Sequence, residues 1–451
     1  MKIWKYLLLF LTIMAVLCSS CSNSQPQGTT PTATILPVAS TPTSTPDTSI
    51  AREDFSCWPV KPLQEGNNIK GSLLYANFPY APGNQQANGL FVWEINKFQN
   101  TSINFSPYLL KTGEVYQSPD GKLATLISEN NLLIISQEST QSFPLPIENL
   151  KIETYLPDGH ILLVQPHHQI NYYQEDKGFK NIYYIFDPAT GRTTRNEVFL
   201  PKLAPSEDIW FLQYSSDMKY ALYGSLSSGT DSAFTLYDLQ KGKIIWIGPR
   251  HDSSLINIAI PIWQPDSSML TTIYNDETGT RNYYSISLEG IVSPMHIFNS
   301  AELYEATRSN KWKSFDAVES PNWSPNGRYL ASEGYAKDSY RELSTLYIWD
   351  DQKETLYKPC LPEETKRITV LHNIIWSFDG LYALVEMTFL RSATPVEVVP
   401  GLLSPDYISK RYILDLVNRI IYEVPEDQND NIVLSKEGHN EFLCWMNWEI
   451  P

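Results

Sequence analysis

One phrase recurs six times between Gln117 and Met387, and it decides most of what this chain can become. Each copy opens on an aromatic or polar residue, passes through a turn of the Ser-Pro-Asp-Gly kind, and continues as an apolar run of strand length. The copies read QSPDGKLATLIS from Gln117, YLPDGHILLVQ from Tyr155, YSSDMKYALYGS from Tyr214, WQPDSSMLTTIY from Trp263, WSPNGRYLASEG from Trp323 and WSFDGLYALVEM from Trp376. They stand about 40 to 60 residues apart, the period of propeller blades and solenoid units. A unit this small buries its apolar faces against neighbouring copies of itself, so the repeat confines the chain to stacked or ring-shaped architectures.

The phrase is a β-hairpin. Proline presets φ at the first central turn position, aspartate bonds nearby amides, and glycine takes the left-handed conformation. The residues after the turn, such as Arg328 to Ser332, alternate or run apolar. Each copy is followed by another aromatic strand that closes on a polar turn, as in IYYIFDPATGR from Ile182, FTLYDLQKGK from Phe234 and STLYIWDDQK from Ser344. A last strand, IIWIG, ETLYKP or IIYEVP, leads to the next copy. Four strands per copy make one propeller blade, and 27 Tyr and 12 Trp suit β-structure better than helix. The N-terminal part supplies GSLLYANFPY and NGLFVWEINKF, a second and third strand with no first. The missing strand is EFLCWMNWEI from Glu441, with Trp445 near the tryptophan place. Six complete copies and one blade stitched from both ends predict an all-β propeller of seven blades, with six or eight as alternatives. Closure by pairing of the N- and C-terminal strands removes free sheet edges at the seam.

The turn phrase with its short aromatic strands resembles the TolB-type, or PD40, branch of the WD40-like propellers, from about residue 70 onward. The copies at Gln117, Trp323 and Trp376 carry the resemblance best. Asp217-Met218 and Asp266-Ser267 lack the glycine and predict strained or rebuilt turns. The resemblance implies an extracytoplasmic ring that binds proteins, or an ancillary domain beside a hydrolase, for which the repeat leaves no room here.

The N-terminus reads as an address. Lys2 and Lys5 precede an apolar run from Leu7 to Leu17, too short for a comfortable membrane span. Ser19 and Ser20 stand directly before Cys21, which resembles a bacterial lipoprotein signal with Cys21 as the lipidated residue, although Cys18 occupies the place usually held by leucine. An ordinary secretory signal or a signal anchor is the alternative. We expect residues 1–20 to be the signal peptide, residues 21–54 a Thr/Pro/Ser tether too poor in apolar residues to fold, and residues 55–451 the propeller. Acyl chains would hold the protein on a membrane stably. A formal charge of −16 argues against nucleic acid and against adhesion to anionic lipid through a basic patch.

Chemistry is harder to find. No Gly-x-Ser-x-Gly stands in the chain, and GSLSSG from Gly224 has the wrong spacing. Sialidase-type turns need a residue between Asp and Gly, which these turns lack. His167 and His168 are adjacent, so on a strand they would face opposite sides and not share a metal. EDQNDN from Glu426 resembles a calcium loop but lacks its glycine and terminal glutamate. The pairs Asp276-Glu277 and Asp350-Asp351 read as strand-end charges, so we assign no catalytic residue, metal or cofactor. Cys57 and Cys360 both lie in proline-containing loops, and we expect them to pair, with free thiols as the alternative. Cys444 reads as core.

A propeller offers a ligand the face opposite its tight turns, where second-to-third-strand loops gather. Several such loops are long, and the last blade carries FLRSATPVEVVPGLLSPDYISK from Phe389. Tyr172, Tyr173, Asp276, Arg281, Tyr335 and Arg341 are the candidates for that face, since Tyr and Arg anchor interfaces. We expect a membrane-tethered extracytoplasmic propeller that binds a protein or polymer partner without catalysis. The alternative is a propeller hydrolase or lyase acting on glycan or peptide.

Overall fold

The computed structural model describes residues 52–78, 89–103, 115–128, 130–165, 171–173, 178–202, 208–226, 232–248, 260–275, 281–296, 318–337, 342–362, 369–399, 402–425 and 439–448. All belong to the unit Ile50–Pro451. They form seven sheets, each built on four antiparallel strands that follow chain order in blades 2 to 7, and no α-helix is present among the described residues. Blade 1 takes its first strand, His439–Met446, from the C-terminus and adds Ser72–Phe78, Gly89–Glu94 and Gln99–Ile103. Blades 2 to 7 begin at Tyr116, Lys151, Asp208, Ile262, Val318 and Thr369. The first strands of blades 7, 1, 2 and 3 approach one another in succession, which places first strands at the hub and fourth strands at the rim.

Seven apolar clusters lie between the sheets, one at each junction of consecutive blades. Leu74, Leu90 and Met446 meet Ala124, Leu126 and Ile135 between blades 1 and 2. Leu73, Trp93 and Trp445 meet Leu384 and Ile413 between blades 7 and 1. The other five follow in order around the ring. Seven junctions for seven sheets make a closed ring. Each fully buried Leu or Ile in these clusters contributes roughly 1.5–3 kcal/mol.

The turn phrase keeps one conformation throughout. At the glycine place φ is 71° at Gly121, 86° at Gly159, 68° at Gly327 and 67° at Gly380, and it is 57° at Met218 and 59° at Ser267. The two turns without glycine are therefore strained rather than rebuilt, since a Cβ there crowds the following carbonyl. The serine hydroxyl of the phrase donates to the turn carboxylate or amide oxygen, Ser118 to Asp120 at 2.7 Å and Ser324 to Asn326 at 2.7 Å. Where the phrase opens on an aromatic residue, that residue can bolt its blade to the one before. Asn181 of blade 3 donates to the Tyr214 hydroxyl at 2.8 Å, Trp323 Nε1 donates to Thr271 Oγ1 of blade 5 at 3.2 Å, and the hydroxyls of Tyr155 and Thr125 are paired. Trp263 and Trp376 fill the same place with apolar packing alone, their Nε1 atoms finding no acceptor.

Successive turns also interlock. Gln264 Nε2 donates to the Gly327 carbonyl at 2.9 Å, and Asn326 Nδ2 to that of Asp379 at 2.8 Å. Blade 1 has no such turn, because the chain ends meet there. Asn447 N donates to Gly121 O at 2.8 Å and Trp448 Nε1 to Lys122 O at 2.9 Å, so the last residues take over the role of the missing turn.

A second closure runs around the outside. Arg52–Asp54, within the stretch assigned from sequence to the tether, pairs in parallel with the outer strand of blade 6. Val60–Pro62 pairs in parallel with the outer strand of blade 7. Between them a disulfide joins Cys57 to Cys360. Trp58, 5% exposed, inserts among Tyr357, Leu361, Leu416 and Ile421. Asp54 meets Arg419 at 2.7 Å. Residues 52–62 thus form a strap over the rims of two adjacent blades.

Candidate binding surfaces

In an antiparallel blade the first and third turns fall on one face and the second turn on the other. The first face is the tight-turn face, and several of its aspartates are engaged by backbone amides and neighbouring side chains. Burial raises the pKa of Asp120 and of Asp217. Hydrogen bonds from Ser118 and the Lys122 amide, and from Lys219 and Ser215, outweigh it and hold both below the ordinary carboxylate range. Asp158 is held low in the same way by His160. Asp350 is 1% exposed and is gripped by Arg328 through two bonds of 3.0 and 3.2 Å. Its neighbour Asp351 accepts from Trp349 Nε1 at 3.1 Å, and burial raises its pKa. The pair serves the third turn of blade 6. No group of three or more His, Cys, Asp or Glu able to hold a metal occurs among the described residues.

The opposite face carries the candidates read from sequence. Tyr172 and Tyr173 lie on Asn171–Tyr173, which resumes the second strand of blade 3 and pairs Tyr172 with Phe179 and Tyr173 with Gly178. Arg281 opens the third strand of blade 5 opposite Asn275. Tyr335 lies near the end of the second strand of blade 6, opposite Ser344. These four share one face of the ring, on three blades. Asp276 and Arg341 lie outside the described residues, as do His167, His168 and EDQNDN.

The largest departure from blade regularity is on this face. The second strand of blade 7 runs Tyr382–Val399, 18 residues, and the third Leu402–Asp415, 14 residues. The first strand pairs with the second only as far as Phe389, and the fourth with the third only over Tyr412–Asp415. From Leu390 to Ser409 the two long strands pair only with each other among the described residues. Their register shifts three times, between Leu390 and Ser392, Ser392 and Val396, and Glu397 and Val399. The insertion read from sequence as a loop is thus a bent two-stranded ribbon. Such a two-stranded ribbon is marginal by itself.

Below the ribbon lies a buried ion pair that the sequence did not flag. Arg411 is 1% exposed and faces Glu386 across the two strands at 3.3 Å. Burial pulls its guanidinium down to about 10 against the opposing pull of Glu386. Lys410 and Glu423 pair beside it at 2.7 Å. The two pairs lock the root of the ribbon to its blade. Cys444, the other half-read cysteine, is buried and free.

No protein-family model matches the chain, and no curated protein matches it. Solved structures do. A prolyl endopeptidase superposes with a TM-score of 0.46 at 12% identity, over 78% of this chain and 50% of its own, so the chain spans about half of that protein. TolB from Acinetobacter baumannii matches with a TM-score of 0.35 at 13% identity, over 83% of both chains. A TolB protein from Agrobacterium tumefaciens matches with a TM-score of 0.36 at 15% identity, over 65% of this chain and 89% of its own.

Proposed function

We propose that the chain is a membrane-tethered extracytoplasmic propeller that binds a protein partner without catalysis, and that the partner engages the loop face through the blade 7 ribbon. The observation that carries this reading is the ribbon itself: two long strands that, from Leu390 to Ser409, pair only with each other among the described residues. A strand edge without a sheet neighbour is a template for strand addition. The position of Tyr172, Tyr173, Arg281 and Tyr335 on the same face supports a broad contact there. Lipidation at Cys21 and a tether ahead of the strap would hold this ring away from the bilayer.

Cross-linking and recovery of the full chain from its own membranes tests the reading. A variant in which Leu390–Ser409 is replaced by a two-residue turn should keep its melting midpoint and lose the partner. Retention of every partner by that variant would show the ribbon to be irrelevant. In parallel, Cys21→Ser should move the protein from the membrane to the soluble fraction, and its continued sedimentation with membranes would refute the anchor.

A further inference from the structure

The strap and the ribbon meet at the outer strand of blade 7, and one residue of that strand holds both. Ile420–Glu423 is four residues long and lies between two neighbours. On its inner side it pairs with Tyr412–Asp415 of the third strand, and on its outer side with Val60–Pro62 of the strap. Glu423 ends both pairings, opposite Tyr412 on one side and Pro62 on the other. Its carbonyl accepts from Leu63 N, directly after the strap, at 2.9 Å. Its carboxylate meets Lys410 Nζ, at the foot of the ribbon, at 2.7 Å. The next residue continues the link, with Val424 N donating to Arg411 O at 3.1 Å.

The core makes the same connection. Trp58 of the strap shares one apolar cluster with Ile421 of the outer strand, Tyr412 of the third and Met387 of the second, and the last three are fully buried. Met387 and Tyr412 stand directly below the ribbon, close to Leu390 and Ser409 in the chain. A two-stranded ribbon is marginal alone, so its order is borrowed from this root. A short rim strand supports the root poorly until something covers its outer edge, and the strap is that cover. The strap can also lift as a unit. Its two pairings span three residues each, and Trp58, the Asp54–Arg419 pair and the Cys57–Cys360 bond complete its described attachment. The ring seam, His439–Met446 on Ser72–Phe78, is zipped without it.

We propose that the strap regulates the partner site by positioning the ribbon: docked, it braces the foot of the ribbon through Glu423, and lifted, it leaves the root loose and the partner unbound. The disulfide keeps the strap docked. Coupling between two places requires an element with two arrangements that touches both, and the strap with its outer strand is such an element. This inference rests, for its consequence on binding, on the reading of the ribbon as the partner's site.

Hydrogen exchange of the full chain in detergent, read by mass spectrometry over residues 385–389 and 409–413, tests it. In Cys57→Ser/Trp58→Ala both stretches should exchange at least about tenfold faster, while residues 124–135 of blade 2 keep the parent rate, because a local opening exposes only the unit that loosens. Glu423→Ala changes a half-buried rim side chain and leaves the strap pairings in place. It should speed residues 409–413 by at least about threefold, and it decides alone where the strap variant does not fold. All three substitutions together should exchange no faster than the strap variant, since both changes act through one connection. Unchanged rates at the root, an equal acceleration in blade 2, or effects that simply multiply would each overturn the proposal. Recovery of the membrane partner should fall together with protection of the root, and full recovery by a chain with a loosened root would overturn it too. The exchange rates need no partner, so they fail or hold separately from the ribbon-shortening experiment.

Discussion

Removal of the strap's covalent bond should lower stability by an amount set chiefly by the unfolded chain. Cys57 and Cys360 are 303 residues apart. Closing a loop of that length removes about 19 cal/mol/K from the unfolded ensemble, roughly 6 kcal/mol at 25 °C, and measured disulfides deliver about 2–5 kcal/mol. Cys57→Ser leaves the other attachments in place: the two parallel pairings, buried Trp58 and the Asp54–Arg419 pair. The folded state is therefore little changed. A unit of about 400 residues unfolds with an entropy near 0.8 kcal/mol/K, so the midpoint should fall by roughly 3–7 °C. Differential scanning calorimetry of the full chain and of Cys57→Ser, each with and without a phosphine reductant, measures it. The reductant should bring the parent down to the variant and leave the variant unmoved. A midpoint shift below about 1 °C would refute the loop-closure account, and a further fall of the variant on reduction would show that another bond carries the effect.

Three further outcomes follow from the seam, the buried charges and the acid side. A Cβ at Gly121 would stand 2.6 Å from Phe378 Cβ and 3.0 Å from Asn447 Cβ, whereas one at Gly159 meets nothing within 4 Å. Urea titration should thus find Gly121→Ala destabilised by about 3 kcal/mol or more and Gly159→Ala by only about 1 kcal/mol; equal losses would deny that the seam is tight. Arg328→Ala leaves the buried Asp350 carboxylate with only Lys353, at 3.7 Å, and should cost about 3 kcal/mol, while Arg328→Lys should recover part of it. Asp54, Asp120, Asp158, Asp217 and Asp238 all have folded pKa values below their ordinary ones. Their stabilisation is complete above the unfolded carboxylate pKa of about 4 and is lost as pH falls through the folded values. The midpoint should be flat from pH 7 to about 5 and fall steeply below 4, and a rise on acidification would contradict the linkage.

The repeat made the ring legible because its information is local. Pro119, Asp120 and Gly121 specify a turn by their own chemistry, and the apolar runs after each turn have strand length, so blades and their order could be read without knowing any contact. The seam was legible for the same reason, since EFLCWMNWEI has strand character and a tryptophan in place. The strap was not. Arg-Glu-Asp and Val-Lys-Pro are three-residue strands with no alternation, and they exist only because rims 6 and 7 are there to receive them. The one sequence signal was a pair of cysteines in proline-rich loops. The ribbon was read as an insertion, but its strand character was hidden by Pro395, Pro400 and Pro405, of which Pro395 and Pro405 fall within one register shift. Arg411 gave no warning, since its partner Glu386 lies 25 residues away on another strand.

The route of the chain through the strap decides where a mechanical load enters. A pull applied ahead of Arg52 meets the three-residue parallel pairing with blade 6 in shear and then the sulfur–sulfur link to Cys360. Force is thereby delivered to the rim of blade 6, while the hydrogen bonds that zip His439–Met446 onto Ser72–Phe78 stay slack. The hoop can be tugged from its leading end without being unbuttoned.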